Sequence, residues 1–134
     1  VAATYGMTIA CKLDLLNGVH QPGDTYMMAL YGADATLNAH TEFYTTDAEV
    51  KGKGYIAGGK PLKGFETCLE GTRAQMCWER LVRWPNATIR ARHALVYNAS
   101  KDNRAMTILD LGEEAASTNG PWELNLPDAV IWIG

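Results

Sequence analysis

The 134-residue chain reads as all-β: a jelly-roll-like β-sandwich with one short N-terminal helix. Two observations predict this. Turn-forming residues recur at short intervals, at Gly52, Gly54, Gly58-Gly59, Gly64, Gly71, Pro85-Asn86, Asp102-Asn103, Gly112, Asn119-Gly120-Pro121 and Pro127-Asp128, as they do between short antiparallel strands. Several of the segments between them alternate apolar and polar residues, the period of a half-buried strand. Many short strands around one interior make a sandwich or a barrel, and the jelly roll is the version common in viral shells and lectins.

The helix comes first. Ile9, Leu13 and Leu16 stand at i, i+4 and i+7, and Gly18 follows where a left-handed C-terminal residue belongs, so a helix is expected over about Met7 to Asn17. The turn cluster Pro22-Gly23-Asp24 separates it from Thr25 to Tyr31, the first expected strand. In Gly52 to Gly59 the glycines suit positive-φ turns and close strand contacts. They do not suit a phosphate loop, because Lys60-Pro61-Leu62-Lys63-Gly64 cannot start the helix such a loop needs. Further on, Ala74, Met76 and Trp78 are expected to oppose Arg73, Gln75, Cys77 and Glu79. Ile89, Ala91, Leu95 and Tyr97 are expected on one face against Arg90 and Arg92, and Trp122, Leu124 and Leu126 against Glu123 and Asn125. Ala129 to Ile133 is continuously apolar and suits a central strand.

Composition sets bounds on function. Hydrophobic residues make up 47% and charged residues 20%, a globular balance that one core over residues 1–134 accommodates as a single domain. No apolar run approaches the roughly 20 residues of a membrane span. VAATYGMTIACKL lacks the basic stretch and long apolar run of a secretory signal, so Val1 is expected to follow a removed methionine and the chain to be made in a cytoplasm. Cys11, Cys68 and Cys77 form no CxxC pair and read as buried free thiols, not a zinc site or a disulfide framework. Nine Lys/Arg against three Glu fall within residues 51–92, and three Lys/Arg against twelve Asp/Glu fall elsewhere. Such a basic middle can dock on an acidic partner, or it dissolves into a mixed surface when strands interleave.

Catalytic motifs are missing from the sequence. No GxSxG elbow is present, and Ser100 and Ser117 sit in turn-like stretches. His20 and His40 read as loop residues and His93 as a half-buried strand histidine, in no metal-ligand spacing. Glu113-Glu114, read as part of a loop, and Glu66 and Glu70 beside Cys68 are expected to be solvated surface charge. No enzyme, cofactor or metal is expected. Arginines interleaved with Trp78 and Trp84 suit nucleic acid in principle, but a pI near 5.5 argues against it.

A set of blocks carries a resemblance. LLNG, DTYMMALY (Asp24 to Tyr31), EVKGKGYIAGGKPL (Glu49 to Leu62), WPNATIRARHALVY (Trp84 to Tyr97), ILDLG (Ile108 to Gly112) and STNGPWELNLPDAVIWI occur in that order. The pattern resembles a family of small tailed-bacteriophage virion structural proteins of the head-decoration or cement type. Its most specific elements are Val50, Gly52, Gly54, Tyr55, Ala57, Gly58 and Gly59, and the Trp84-x-Asn86-x-Thr88-Ile89 block running into Ala91-Arg92. Family members carry an aspartate-rich stretch where this chain has Glu79-Arg80-Leu81-Val82-Arg83, so this surface is more basic here. The resemblance implies a jelly-roll fold, a place on the outer capsid surface of a virion, and the major capsid protein and further copies of the chain (homodimer or homotrimer) as partners. It offers no catalytic residues to carry over, and neither nucleic acid nor a membrane is expected as a partner. Arg80, Arg83, Arg90 and Arg92 are the expected interface residues, since arginine forks discriminate partners well. Tyr55, Trp84 and Trp122 are assigned to the core. The alternative reading is a tail- or fibre-associated module binding host-surface carbohydrate.

Overall fold

The computed structural model describes residues 4–127 and 129–133; Val1 and Asp128 lie outside them. The chain runs β1 (Thr4–Met7), α1 (Ile9–Leu16), β2 (Tyr26–Tyr31), β3 (Lys60–Pro61), β4 (Glu66–Glu70), β5 (Arg73–Cys77), β6 (Leu81–Asn98), β7 (Arg104–Asn125) and β8 (Ile131–Ile133). The strands form two antiparallel sheets, a five-stranded one in the order β1-β7-β6-β2-β3 and a three-stranded one in the order β4-β5-β8. The protein is therefore an all-β sandwich with one short helix.

Its spine is the long β6–β7 hairpin. The expected turn at Asp102-Asn103 closes it, with φ of 53° and 58°, a region that Asp and Asn tolerate better than most residues. Three other expected turns do not end strands. Pro85-Asn86, Gly112 and Asn119-Gly120-Pro121 all fall inside β6 or β7, where Gly112 (φ 80°) and Asn119 (φ 48°) keep left-handed backbone and the ladder shifts register between Trp84 and Ala87. Bulges of this kind bend a strand without terminating it. Glu113-Glu114 consequently lie exposed on β7 and not in a loop.

Bulges also invert the side-chain alternation. Val82, Trp84, Ala87, Ile89 and Ala91 face the same interior as Ala94 and Val96, whereas Leu95 and Tyr97 point to the opposite side. The single face expected for Ile89, Ala91, Leu95 and Tyr97 is thus broken at the register shift between Ala91 and His93.

The main interior collects Tyr26, Met28 and Leu30 of β2, the inward residues of β6 and β7, and Trp78, Val130 and Ile131. Tyr55, Trp84 and Trp122 are in it as expected, with ring centroids 6.0 and 5.6 Å apart. A smaller cluster on the other side of the five-stranded sheet gathers Ala29, Tyr31, Leu95, Tyr97 and Ala105 under Ala35, Leu37 and Tyr44 of the long segment 32–59. The glycine block fits that segment onto the sheet. At Gly59 (φ 82°) a Cβ would lie 1.7 Å from the Met28 carbonyl oxygen, so only glycine lets the backbones come this close.

Thr8 caps α1, its Oγ1 accepting from the Cys11 amide at 3.0 Å, and Asn17 and Gly18 (φ 66°) end it. β1 carried no sequence signal; it forms through pairing with Thr107 to Asp110 of β7. The apolar run at the C-terminal end makes β8, an edge strand of the small sheet and not a central one, because only Ala129 to Ile131 of it are buried. On β5, Gln75 is buried while Ala74 is exposed, the reverse of the expected faces, although Trp78 points inward as expected.

Candidate interaction surface

Two buried polar assemblies were invisible in the sequence. The first ties α1 to the hairpin turn. Asp14 is buried and receives two hydrogen bonds from Arg104, Nε to Oδ2 at 2.6 Å and Nη2 to Oδ1 at 2.9 Å. His20, read as a loop residue, lies in a loop but is buried beside this pair, with Nε2 3.6 Å from Asp14 Oδ2. The Asn98 amide donates to His20 Nδ1 at 2.9 Å and to Asp24 Oδ2 at 2.9 Å, so a neutral imidazole carries its proton on Nε2. Lys101 Nζ closes the group on both Asp24 oxygens at 2.9 Å.

Burial lowers the His20 pKa below its ordinary value against the opposing pull of Asp14 and Asp24. Burial alone would raise the Asp24 carboxyl, but hydrogen bonds from Asn98, Lys101 and the Gln21 amide outweigh it and hold the pKa down. Nearby, burial and then Asp14 push the Cys11 thiol up to about 12. An Asp–His pair resembles part of a hydrolytic triad, yet the His20 side chain has no exposed surface, and among the described residues its hydrogen bond comes from Asn98 and not from a nucleophile. The assembly is a lock for the helix and its loop.

The second assembly centres on Glu49, buried within the segment over the small cluster. It accepts hydrogen bonds from the hydroxyls of Tyr44 and Tyr55 at 2.5 Å each and from the Gly58 amide at 2.8 Å. Tyr97 adds a bond to the Gly58 carbonyl at 2.6 Å. Burial pushes all three tyrosine hydroxyls up, so they remain donors, and the Tyr44 and Tyr55 hydroxyls with the Gly58 amide satisfy the buried Glu49 side chain. No group of three or more His, Cys, Asp and Glu among the described residues is placed to hold a metal ion. No helix among them is long and apolar enough to cross a membrane.

The four arginines expected at an interface do not form one cluster. Arg83, Arg90 and Arg92 lie along β6 and face acids of β7: Glu123 at 3.8 Å, Glu114 at 3.2 Å and Asp110 at 3.7 Å. The basic middle of the sequence is interleaved with acidic β7, a mixed ladder of exposed pairs. Arg80 is exposed just before β6. His93 is half-buried beside Asp110 at 3.9 Å. Of the cysteines, Cys11 is buried as expected, whereas Cys68 is exposed, on a strand whose five residues all face solvent, and Cys77 is half-buried.

The feature that stands out is apolar. Ile9, Leu13 and Leu16, the stripe that predicted the helix, point away from the body; the inward side of α1 is Cys11, Asp14 and half-buried Leu15. Ile9 is 50% exposed, Leu13 56% and Leu16 84%. Beside the helix lies a groove of about 340 Å³ lined by Leu15, Leu69, Ala74, Met76, Ile131 and Ile133, among others. Leu69 and Ile133 are themselves 79% and 57% exposed. Isolated exposed aliphatics are ordinary, but Ile9, Leu13 and Leu16 in one helical stripe, and Leu69 and Ile133 along the groove, are two apolar features of the kind a partner covers.

No family model, no curated protein and no solved structure matches the chain. The site therefore has to be read from its own chemistry.

Proposed function

We propose that this chain is a virion component of the decoration or cement type, jelly-roll-like in its winding. It binds the outer surface of the major capsid protein lattice and bridges neighbouring subunits. The observation that carries the reading is the outward α1 stripe with the groove beside it. Covering the stripe and the groove would remove apolar area from water, the kind of area of which one side of a standard-size interface holds about 450 Å². Binding only the assembled lattice adds the binding free energy to the stability of the shell, as for any ligand of one state. Repetition over many equivalent sites makes modest contacts sufficient. The carbohydrate alternative gains little from the rings: Trp78, Trp84 and Trp122 are buried, which leaves rings such as half-buried Trp132 and exposed Phe43 that could stack on a sugar.

The test compares wild type with I9Q/L13Q/L16Q on intact particles, using a labelled antibody against the chain, and on isolated shells by co-sedimentation. The expected result is outer-surface labelling for wild type and loss of shell binding in the variant, with its melting temperature kept. Absence of the chain from particles, or equal binding by the variant, refutes the reading. Charge reversal at Arg80 and Arg83 in the same assay asks whether the arginines take part.

A further inference from the structure

β4 is the end strand of its sheet, and all five of its residues are exposed. Among the described residues it pairs only with β5, so alternate backbone N–H and C=O groups along its other side meet solvent, a ready template for a further strand. The register places Glu66, Cys68 and Glu70 on one face, opposite Cys77, Gln75 and Arg73, and puts Thr67 and Leu69 on the other. Leu69, Ala74 and Ile133 stand directly opposite one another across the three strands, an apolar row that runs to the open edge. On the carboxylate face, Gln75 is buried, donates only a weak bond to Cys68 Sγ at 3.3 Å, and leaves Oε1 with no hydrogen-bond partner. An arriving strand therefore meets two carboxylates at alternate positions on one face and an aliphatic side chain on the reverse.

A second copy of β4 cannot answer that pattern. The antiparallel two-fold register that pairs the whole strand centres on Cys68 and sets Glu66 opposite Glu70, like charge against like charge. We infer that the β4 edge docks an extended segment of a partner protein with Lys or Arg at alternate positions and an apolar residue between them, and that Glu66 and Glu70 close this edge to self-pairing. The mode is strand addition: the backbone supplies affinity, and the alternate side chains supply selectivity. The inference stands whether or not the partner is a shell subunit.

Two arms test it. In the first, the peptide acetyl-Lys-Val-Lys-Val-Lys-amide is titrated into isotope-labelled protein. Amide resonances of residues 66–70 are expected to shift and their hydrogen exchange to slow, with affinity about tenfold weaker for E66K/E70K, as the loss of exposed charge pairs implies. In the second, wild type and E66K/E70K are mixed in equal amounts and oxidised with diamide, and the Cys68–Cys68 disulfides are identified by peptide mapping. Mixed dimers are expected to exceed the statistical half, because the variant presents cations opposite the wild-type carboxylates. No binding, equal binding by both proteins, resonance shifts confined to other strands, or mixed dimers at or below the statistical half would overturn the inference.

Discussion

Gly59→Ala gives the sharpest check on how the segment 32–59 is seated. Two contributions add. Gly59 has φ of +82°, and left-handed backbone costs a residue with a Cβ about 1–2 kcal/mol. In addition, the new Cβ would sit 1.7 Å from Met28 O, 2.6 Å from Met28 C and 2.8 Å from Ala29 Cα. All three are backbone atoms of Met28 and Ala29, fully buried on β2, so no side chain can swing aside. Relief requires moving the segment or the strand by more than an ångström, at the expense of the Glu49 bonds and the packing around Tyr31 and Tyr97. The total loss should exceed about 4 kcal/mol, in the exceptional class for one substitution and a large share of the roughly 5–15 kcal/mol of a typical domain. Gly71→Ala is the control, with φ of +62° and nothing within 4 Å of the added atom; it should lose only about 1–2 kcal/mol. Urea unfolding at 25 °C followed by tryptophan fluorescence measures both. Equal losses for the two variants would refute the claim that close backbone approach, and not φ alone, requires glycine at position 59.

Other outcomes follow from the buried polar groups. Asp14→Asn removes the charge that Arg104 grips through two bonds, and about 2–3 kcal/mol of unfolding free energy should go with it, the scale of hydrogen bonds to charged groups. Because the folded His20 pKa lies below its ordinary 6.5, the unfolded chain binds the proton more readily. His20 therefore contributes stability that is fully present above pH 6.5 and is lost as pH falls through that value, and His20→Gln should flatten the urea midpoint measured from pH 7.5 to 5.5. Asp24 acts in a lower window: its depressed pKa contributes stability present above the ordinary carboxyl range and lost as acid protonates the folded group. Alkylation by iodoacetamide should reach exposed Cys68 first and spare Cys11, whose thiol is buried and pushed up to about 12, until the chain unfolds; peptide mass mapping reads the order.

Sequence patterns reported what neighbouring residues share and failed where an absolute direction was needed. The spacing of Ile9, Leu13 and Leu16 identifies a helix because it groups side chains on one face, but periodicity alone does not say whether that face meets a core or a partner. Alternation placed Trp122, Leu124 and Leu126 correctly and failed across Ala91 to His93, because one bulge exchanges the two sides of everything beyond it. The Pro and Gly signals in β6 and β7 mark real departures from regular strand; whether a departure becomes a turn or a bulge depends on which strand lies alongside. The glycine block was legible, since so many glycines near one another leave close backbone contact as the economical explanation. Asp14 and Glu49 were not, because a buried carboxylate is spelled like a surface one, and its donors here stand as far off as Arg104.

The orientation of α1 bears on why the protein has this sequence at all. A helix selected only to stabilise the fold would turn Ile9, Leu13 and Leu16 inward and leave its acid in water, since aliphatic burial is worth about 1.5–3 kcal/mol per side chain and an ion pair at low exposure returns little after desolvation. This helix does the opposite, fixing itself with Asp14 on Arg104 and a buried cap at Thr8 while its aliphatic stripe stays free. Departures from local folding rules concentrate where function needs them. A polar lock holds the helix in one orientation without consuming the apolar surface, which leaves that surface rigidly presented for something else to bury. Pre-ordered aliphatic side chains on a short, capped helix also lose less entropy on docking than the same residues on a loose terminus.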